Sequence, residues 1–257
     1  MPDWSTLIAA LRTVPVGGGG FSPSDVSGLV LWLDAGSGVY QTSDFLIQST
    51  GGDSVGGWRD RSTNNNDVVM VNTASRPSYV LNTINSNNVV RFNGVVQYLS
   101  SSTAKMMDQT DFTYFAVLIK SSTAQSFITL VGPVVGGRAF TMRPSTSHSF
   151  SLNLANTVVI GSGQTPIFTS TTAVVVGVNY NAAGTANLFF NNSADGVYFN
   201  PRTFTAESTL VIGARSTGTT YFQGDLAEVI FYDSVLSASS RNQVSNYLAA
   251  KYAIWST

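Results

Sequence analysis

From Val26 onward, short apolar runs alternate with clusters of Gly, Asn, Asp, Ser and Pro. "GLVLWLD", "VVRFNG", "FTYFAVLIKS", "SFITLVG", "AFTMRP", "SFSLNL", "AVVVGVNYN", "ANLFFNN", "VYFN", "TLVIGA" and "LAEVIFYDS" each have the length of a strand and its β-branched and aromatic composition. Their number and spacing predict an all-β sandwich. Near-continuous runs such as "AVVVGV" belong inside the fold, whereas the alternation in "SFSLNL" predicts one wetted face. "NNSADG", between "LFF" and "VYF", reads as a hairpin loop with its turn at Asp195 and Gly196.

The two ends follow a helical period. Trp4, Leu7, Ile8 and Leu11 fall on one face of a short helix that Pro15 ends, and Gly17 to Gly20 form a flexible tether. A helix of this length gains too little from its own hydrogen bonds to persist alone in water, so it needs a surface to lie on. At the other end, Ser237 caps a helix whose Val244, Tyr247, Leu248 and Tyr252 share a face, which packs on the sandwich. The expected organisation is an anchor helix over 1–14, a Gly-rich linker over 15–25 and one β-domain over 26–257 that ends in a helix.

Composition narrows the function classes. The 257 residues are 43% hydrophobic, enough for one substantial core, and only 11% are charged. Ser, Thr, Asn and Gly replace the missing charge, giving a neutral, hydroxyl- and amide-rich surface. A net charge of -1 with no basic run argues against nucleic acid as a partner, and the aromatics are not interleaved with Lys105, Lys120 and Lys251 or with arginines. No apolar run is long enough to insert across a bilayer. Asp3 stands where a secretion signal carries positive charge, and Leu7 to Leu11 is too short for its apolar core. An outward-facing surface without a visible export signal fits a virus particle, assembled in the host cytoplasm and acting outside it.

Catalytic and metal chemistry finds few residues to use. There is no cysteine and one histidine, His148, with no Gly-x-Ser-x-Gly elbow, so thiolate metal sites and a Ser-His-Asp triad are without support. "GGGG" is followed by Phe21 and Pro23 rather than by Lys and a hydroxyl residue, so it is linker, not a phosphate loop. In "DRSTNNND", Asp60, Ser62 and Asn64 take positions one, three and five of a calcium-loop pattern, with Asp34 of "LWLDA" as a fourth candidate ligand. The pattern then breaks at Asn65 and Val71, and an Asx-stabilised turn is the competing account. Calcium is the one cofactor that the residues suggest. Tyr40, Trp58, Tyr98 and Tyr221 lie near loop-like segments and are candidate platforms for stacking on a sugar ring.

"SGLVLWLDAGSG", "WRDRSTNNND", "RPSYV" with "VVRFNGVVQYL", and "GDLAEVIFYDSVLSASSRNQVSNYLAAKY" follow one another in the order and spacing of laminin-G-like domains. Over residues 27 to 253 the chain resembles that branch of the concanavalin A-like lectin and glucanase superfamily. The resemblance implies a two-sheet antiparallel jelly roll, with carbohydrate or protein binding and in some members calcium. Glucanases of this superfamily need two flanking carboxylates. This chain has only Glu207 and Glu228, and Glu228 sits among core-type residues as a paired structural carboxylate.

The expectation from the whole sequence is a non-enzymatic virion decoration or adhesion protein, with a bacteriophage as the setting. Trp4, Leu7, Ile8 and Leu11 would dock it to a shell, a tail or sister subunits, and a host-surface glycan is the candidate ligand of the head. The alternative is a carbohydrate-binding module of a bacterial surface or secreted protein.

Overall fold

The computed structural model describes residues 20–102, 111–120, 138–142, 150–154, 157–158, 172–199, 210–216 and 219–256. The strands are β1 (Leu29–Asp34), β2 (Val39–Tyr40), β3 (Gly57–Trp58), β4 (Val68–Val69), β5 (Ser78–Ile84), β6 (Asn87–Asn93), β7 (Leu99–Ser101), β8 (Phe112–Lys120) and β9 (Arg138–Met142). They continue as β10 (Phe150–Leu154), β11 (Thr157–Val158), β12 (Val174–Tyr180), β13 (Thr185–Phe190), β14 (Ser193–Phe199), β15 (Leu210–Ile212), β16 (Ala214–Ser216), β17 (Thr219–Tyr221) and β18 (Gln223–Tyr232). One helix, α1 (Ala238–Tyr252), follows them.

Every pairing is antiparallel. The large sheet runs β14-β13-β12-β8-β18-β6-β5, with β1 added beside β18, and the second sheet runs β15-β7-β4-β3-β2. β18 organises the large sheet. β8 pairs along one of its edges, while β6 and β1 share the other end to end. Its burial from Gly224 to Tyr232 follows from having strands on both edges and apolar layers on both faces.

Between the sheets lies the main core. Leu31, Leu33, Phe92, Tyr114, Val176, Val178, Leu226, Val229 and Phe231 of the large sheet meet Val39, Trp58, Val68, Leu99, Leu210 and Ile212 of the small one. A second apolar layer covers the far face of the large sheet, where Trp32, Phe115, Val175, Ile230 and Tyr232 receive Val244, Leu248 and Tyr252 of α1. Burying three large side chains contributes about 1.5–3 kcal/mol for each, far more than a 15-residue helix supplies alone. Ser237 caps α1 as its sequence predicts, its Oγ accepting from Ser240 N, and Ala253 ends it in the left-handed conformation. The fold is therefore the β-sandwich with a C-terminal helix that the sequence pattern predicts, in the jelly-roll form that the family resemblance implies. The anchor helix over 1–14 lies outside the described residues.

Two local expectations are corrected. The chain is already folded before Val26. Ser22 and Asp25 form a capping box around a 3₁₀ turn, Pro23 is buried, and Tyr232 Oη donates to Pro23 O at 2.9 Å. The aromatic ring of Phe21, in the segment read as linker, packs against Tyr247. The β13–β14 turn falls at Asn191 and Asn192, with φ of 46° and 64°, and not at Asp195 and Gly196. Asn tolerates the left-handed region, and a two-residue turn of that hand matches the twist of the flanking strands. Asp195 and Gly196 instead fall at a bulge inside β14.

Candidate functional sites on the two faces of the large sheet

The four aromatic candidates separate by environment. Trp58 is fully buried in the inter-sheet core, which corrects its reading as a sugar platform. β3 is only two residues long, too short for alternation to reveal which face a side chain takes. Tyr40 is half-buried on the outer side of the small sheet, where Phe45 meets it edge-to-face at 5.4 Å and the Arg59 guanidinium sits 5.2 Å from its ring centre. Its exposed face is thus already taken by a cation–π contact. Tyr98 and Tyr221 come together, with ring centres 6.4 Å apart and planes 37° from parallel, both half-buried.

The turn leading into Tyr98 is amide-rich. Asn93 Oδ1 accepts from Val95 N and Val96 N, while Gln97 Oε1 accepts from Asn93 N. Their carbonyl ends hold the turn, and their NH2 groups are the donors it can present to a hydroxyl. Tyr98 packs against the inter-sheet core, whereas Phe21 packs against the layer under α1. The large sheet therefore stands between the tyrosine pair and the point where the N-terminal segment joins the fold.

On the α1 side, charge is buried. A register slip between Leu226 and Glu228 places Leu226 and Val229 in the inter-sheet core and turns Ala227 and Glu228 toward the helix. Glu228 is 0% exposed. Its Oε1 accepts from Trp32 Nε1 at 2.6 Å and Tyr247 Oη at 3.0 Å, and its Oε2 from Lys251 Nζ and Tyr252 Oη, both at 2.8 Å. Lys251 Nζ also contacts Asp34 Oδ2 at 2.9 Å, Arg61 donates to the same oxygen, and Gly36 N donates to Asp34 Oδ1 at 2.8 Å. The Arg61 guanidinium lies 3.9 Å from the centre of the Trp32 ring. Burial pushes the Glu228 carboxyl above its ordinary value against the pull of the Lys251 charge. The same burial, with the Glu228 charge, raises the Tyr247 and Tyr252 hydroxyls. Sequence reading singled out Asp34 and Glu228 separately and missed Lys251 and Arg61. The signal present was Lys251 standing one turn after Tyr247 on the helix edge.

The candidate cation loop is built on donors. Asp60 Oδ1 accepts from Trp32 N and Ser62 N, and Oδ2 from Ser62 Oγ and Asn66 N, all within 2.6–2.9 Å. Asn64 and Asn66 donate their side-chain amides to Leu29 O and Val30 O. Both Asp60 oxygens thus each face two hydrogens, Asp34 is paired with two cations, and Asn64 turns its NH2 toward backbone. This set holds the loop onto β1 and does not fit a calcium ion, whose ligands must converge oxygen lone pairs. Among the described residues no group of three or more His, Asp and Glu is placed to hold a metal. Trp4, Leu7, Ile8, Leu11, Lys105, His148 and Glu207 lie outside the described residues.

Comparison with solved structures finds the same fold at low identity. A GH54 α-L-arabinofuranosidase soaked with a cyclic sulfate inhibitor superposes with a TM-score of 0.64 at 15% identity, covering 78% of this chain and 52% of that one. The binding domain of botulinum neurotoxin DC, in complex with rat synaptotagmin II, gives 0.60 at 13% identity over 88% of this chain and 52% of the other. Trypanosoma rangeli sialidase in complex with sialic acid gives 0.59 at 15% identity, over 96% of this chain and 39% of that one. The chain thus spans about half or less of each of these proteins, and the likeness concerns the fold alone. No curated protein sequence matches it. Among the described residues no helix is long and apolar enough to cross a membrane. A laminin-G-type family model, described as the concanavalin A-like lectin/glucanases superfamily, matches residues 93–240. With more than half its length matched and both sheets, the bulged β18 and the capped last helix in place, the chain belongs to the concanavalin A-like lectin/glucanase superfamily.

Proposed function

We propose that this is a non-catalytic binding module, attached through its N-terminal segment and presenting its Tyr98–Tyr221 surface to carbohydrate. The observation that carries the reading is the separation of these two features by the large sheet: Phe21 roots the N-terminal segment beside Tyr247, and the tyrosine pair lies on the other side. A domain held on one face leaves the other free to engage a ligand. Two half-buried rings with an amide turn beside them supply an apolar platform and a few directional donors, the combination that small-ligand sites use. The absence of turnover is part of the proposal. Glu228 has both oxygens occupied and no exposure, so it is not placed to protonate a glycosidic oxygen.

The attachment partner we propose is a larger assembly, a virion shell or tail in a bacteriophage or sister copies of this chain, engaged by Trp4, Leu7, Ile8 and Leu11. Saturable binding to neutral glycans on an array, lost in Tyr98→Ala and Tyr221→Ala with unfolding midpoints retained, is the expected result. A flat response across a broad panel would remove the carbohydrate reading. Deletion of residues 1–20 that leaves incorporation into the parent particle unchanged would remove the attachment reading.

A further inference from the structure

The first strand and the last helix meet at three reactive groups. Lys251 Nζ lies 2.9 Å from Asp34 Oδ2 and 2.8 Å from Glu228 Oε2. The two carboxylates are cross-strand partners on β1 and β18, with side chains 6% and 0% exposed, and the Lys251 side chain is 19% exposed. An amine, the carboxyl it touches and a second carboxyl on the same amine are the components of an amide-forming condensation. We propose that Lys251 and Asp34 join in an intramolecular isopeptide bond, with Glu228 carrying the proton between them.

The surroundings hold each group in place. Asn85 and Asn87 donate their side-chain amides to Lys251 O at 3.0 and 2.9 Å, fixing the last turn of α1 to the β5–β6 hairpin. Trp32 Nε1, Tyr247 Oη and Tyr252 Oη orient the Glu228 carboxylate. Lys251 Nζ lies 2.9 Å from an oxygen of the carboxyl group whose carbon it would attack, so the two partners are held together before the step begins. In the proposed step one ammonium proton first passes from Nζ to Asp34 Oδ2, 2.9 Å away, which frees the nitrogen lone pair.

The step then balances without a co-reactant. Nζ attacks Asp34 Cγ, and the charge that develops on Oδ1 meets the Gly36 N–H already bonded there. Glu228 accepts a proton from Nζ and returns it to Oδ2, where Arg61 also donates. The Cγ–Oδ2 bond breaks, water leaves, and the ammonium and carboxylate have become an amide and one water. Glu228 ends as it began. A chain without cysteine has no disulfide. This bond would close a loop from its first strand to its last helix, where a crosslink constrains the unfolded chain most.

The test is the intact mass of the denatured full chain. The expected mass is one water below that of the sequence, and proteolysis yields a branched peptide joining the Asp34 and Lys251 segments. Lys251→Arg and Asp34→Ala are expected at their full sequence masses, which denatured mass reads even from an unstable variant. Folded wild-type protein at its full sequence mass, with linear peptides for both segments, overturns the proposal. So does loss of water in both wild type and Lys251→Arg, which places the link elsewhere. A Glu228→Gln chain that links as completely as wild type overturns the role given to Glu228.

Discussion

Gly213, between β15 and β16, is a position where a single added methyl meets a filled core. Its φ of +90° lies in the region that side chains avoid. A Cβ built there would collide with Cδ1 and Cε1 of the Phe92 ring, and Phe92 is itself 1% exposed and pressed against Phe222 at 6.0 Å between ring centres. Gly213→Ala therefore carries a backbone cost of about 1–2 kcal/mol. Overpacking of a filled core adds about 1–3 kcal/mol. The sum, about 2–5 kcal/mol, is a large part of a typical stability of about 5–15 kcal/mol. Urea unfolding followed by tryptophan fluorescence should show a midpoint lower by about 1 M or more with the slope retained. Combining Gly213→Ala with Phe92→Leu should cost less than the two changes added, because the smaller side chain gives way to the methyl while the backbone cost remains. A loss below about 0.5 kcal/mol, or strict additivity with Phe92→Leu, would refute the packing account of this turn.

Three further outcomes are expected. Because burial raises the folded Glu228 carboxyl above its ordinary 4.5, the native state holds that proton more tightly than the unfolded chain. The stability of wild type relative to Glu228→Gln should then fall as pH rises from about 4.5 through the folded value, and a pH-independent difference in urea titrations would contradict it. Asn191 combines a left-handed backbone with an Oδ1 that accepts from Val175 N at 2.9 Å, so Asn191→Ala should cost about 2 kcal/mol and Asn191→Gly about half of that. Equal losses in the two variants would remove the conformational part. A chain beginning at Phe21 should unfold at the wild-type midpoint, while one beginning at Val26 loses the Phe21–Tyr247 contact and the Pro23 bond to Tyr232 and should melt earlier. Light scattering on the same pair reads self-association, and equal melting of the two would return the domain boundary to Val26.

What the sequence determined by itself was local. Apolar runs of strand length, punctuated by turn residues, specify strands because a β-branched, half-buried side chain fits a pleated surface and little else. Ser237 and the Val244–Leu248–Tyr252 face specify the last helix because capping and a 3.6-residue period act within one segment. The superfamily was legible from the same runs and their order. Which face a side chain takes was not. Trp58 sits on a two-residue strand with no period to read, and the register slip at β18 reverses the phase that would have aimed Glu228 into the inter-sheet core. Nor could a linear pattern pair Tyr98 with Tyr221, or bring Lys251 of α1 to Asp34 of β1. Those contacts join residues far apart in the chain, and only the register of β1, β6 and β8 against β18, together with the docking of α1 on their outer face, decides them.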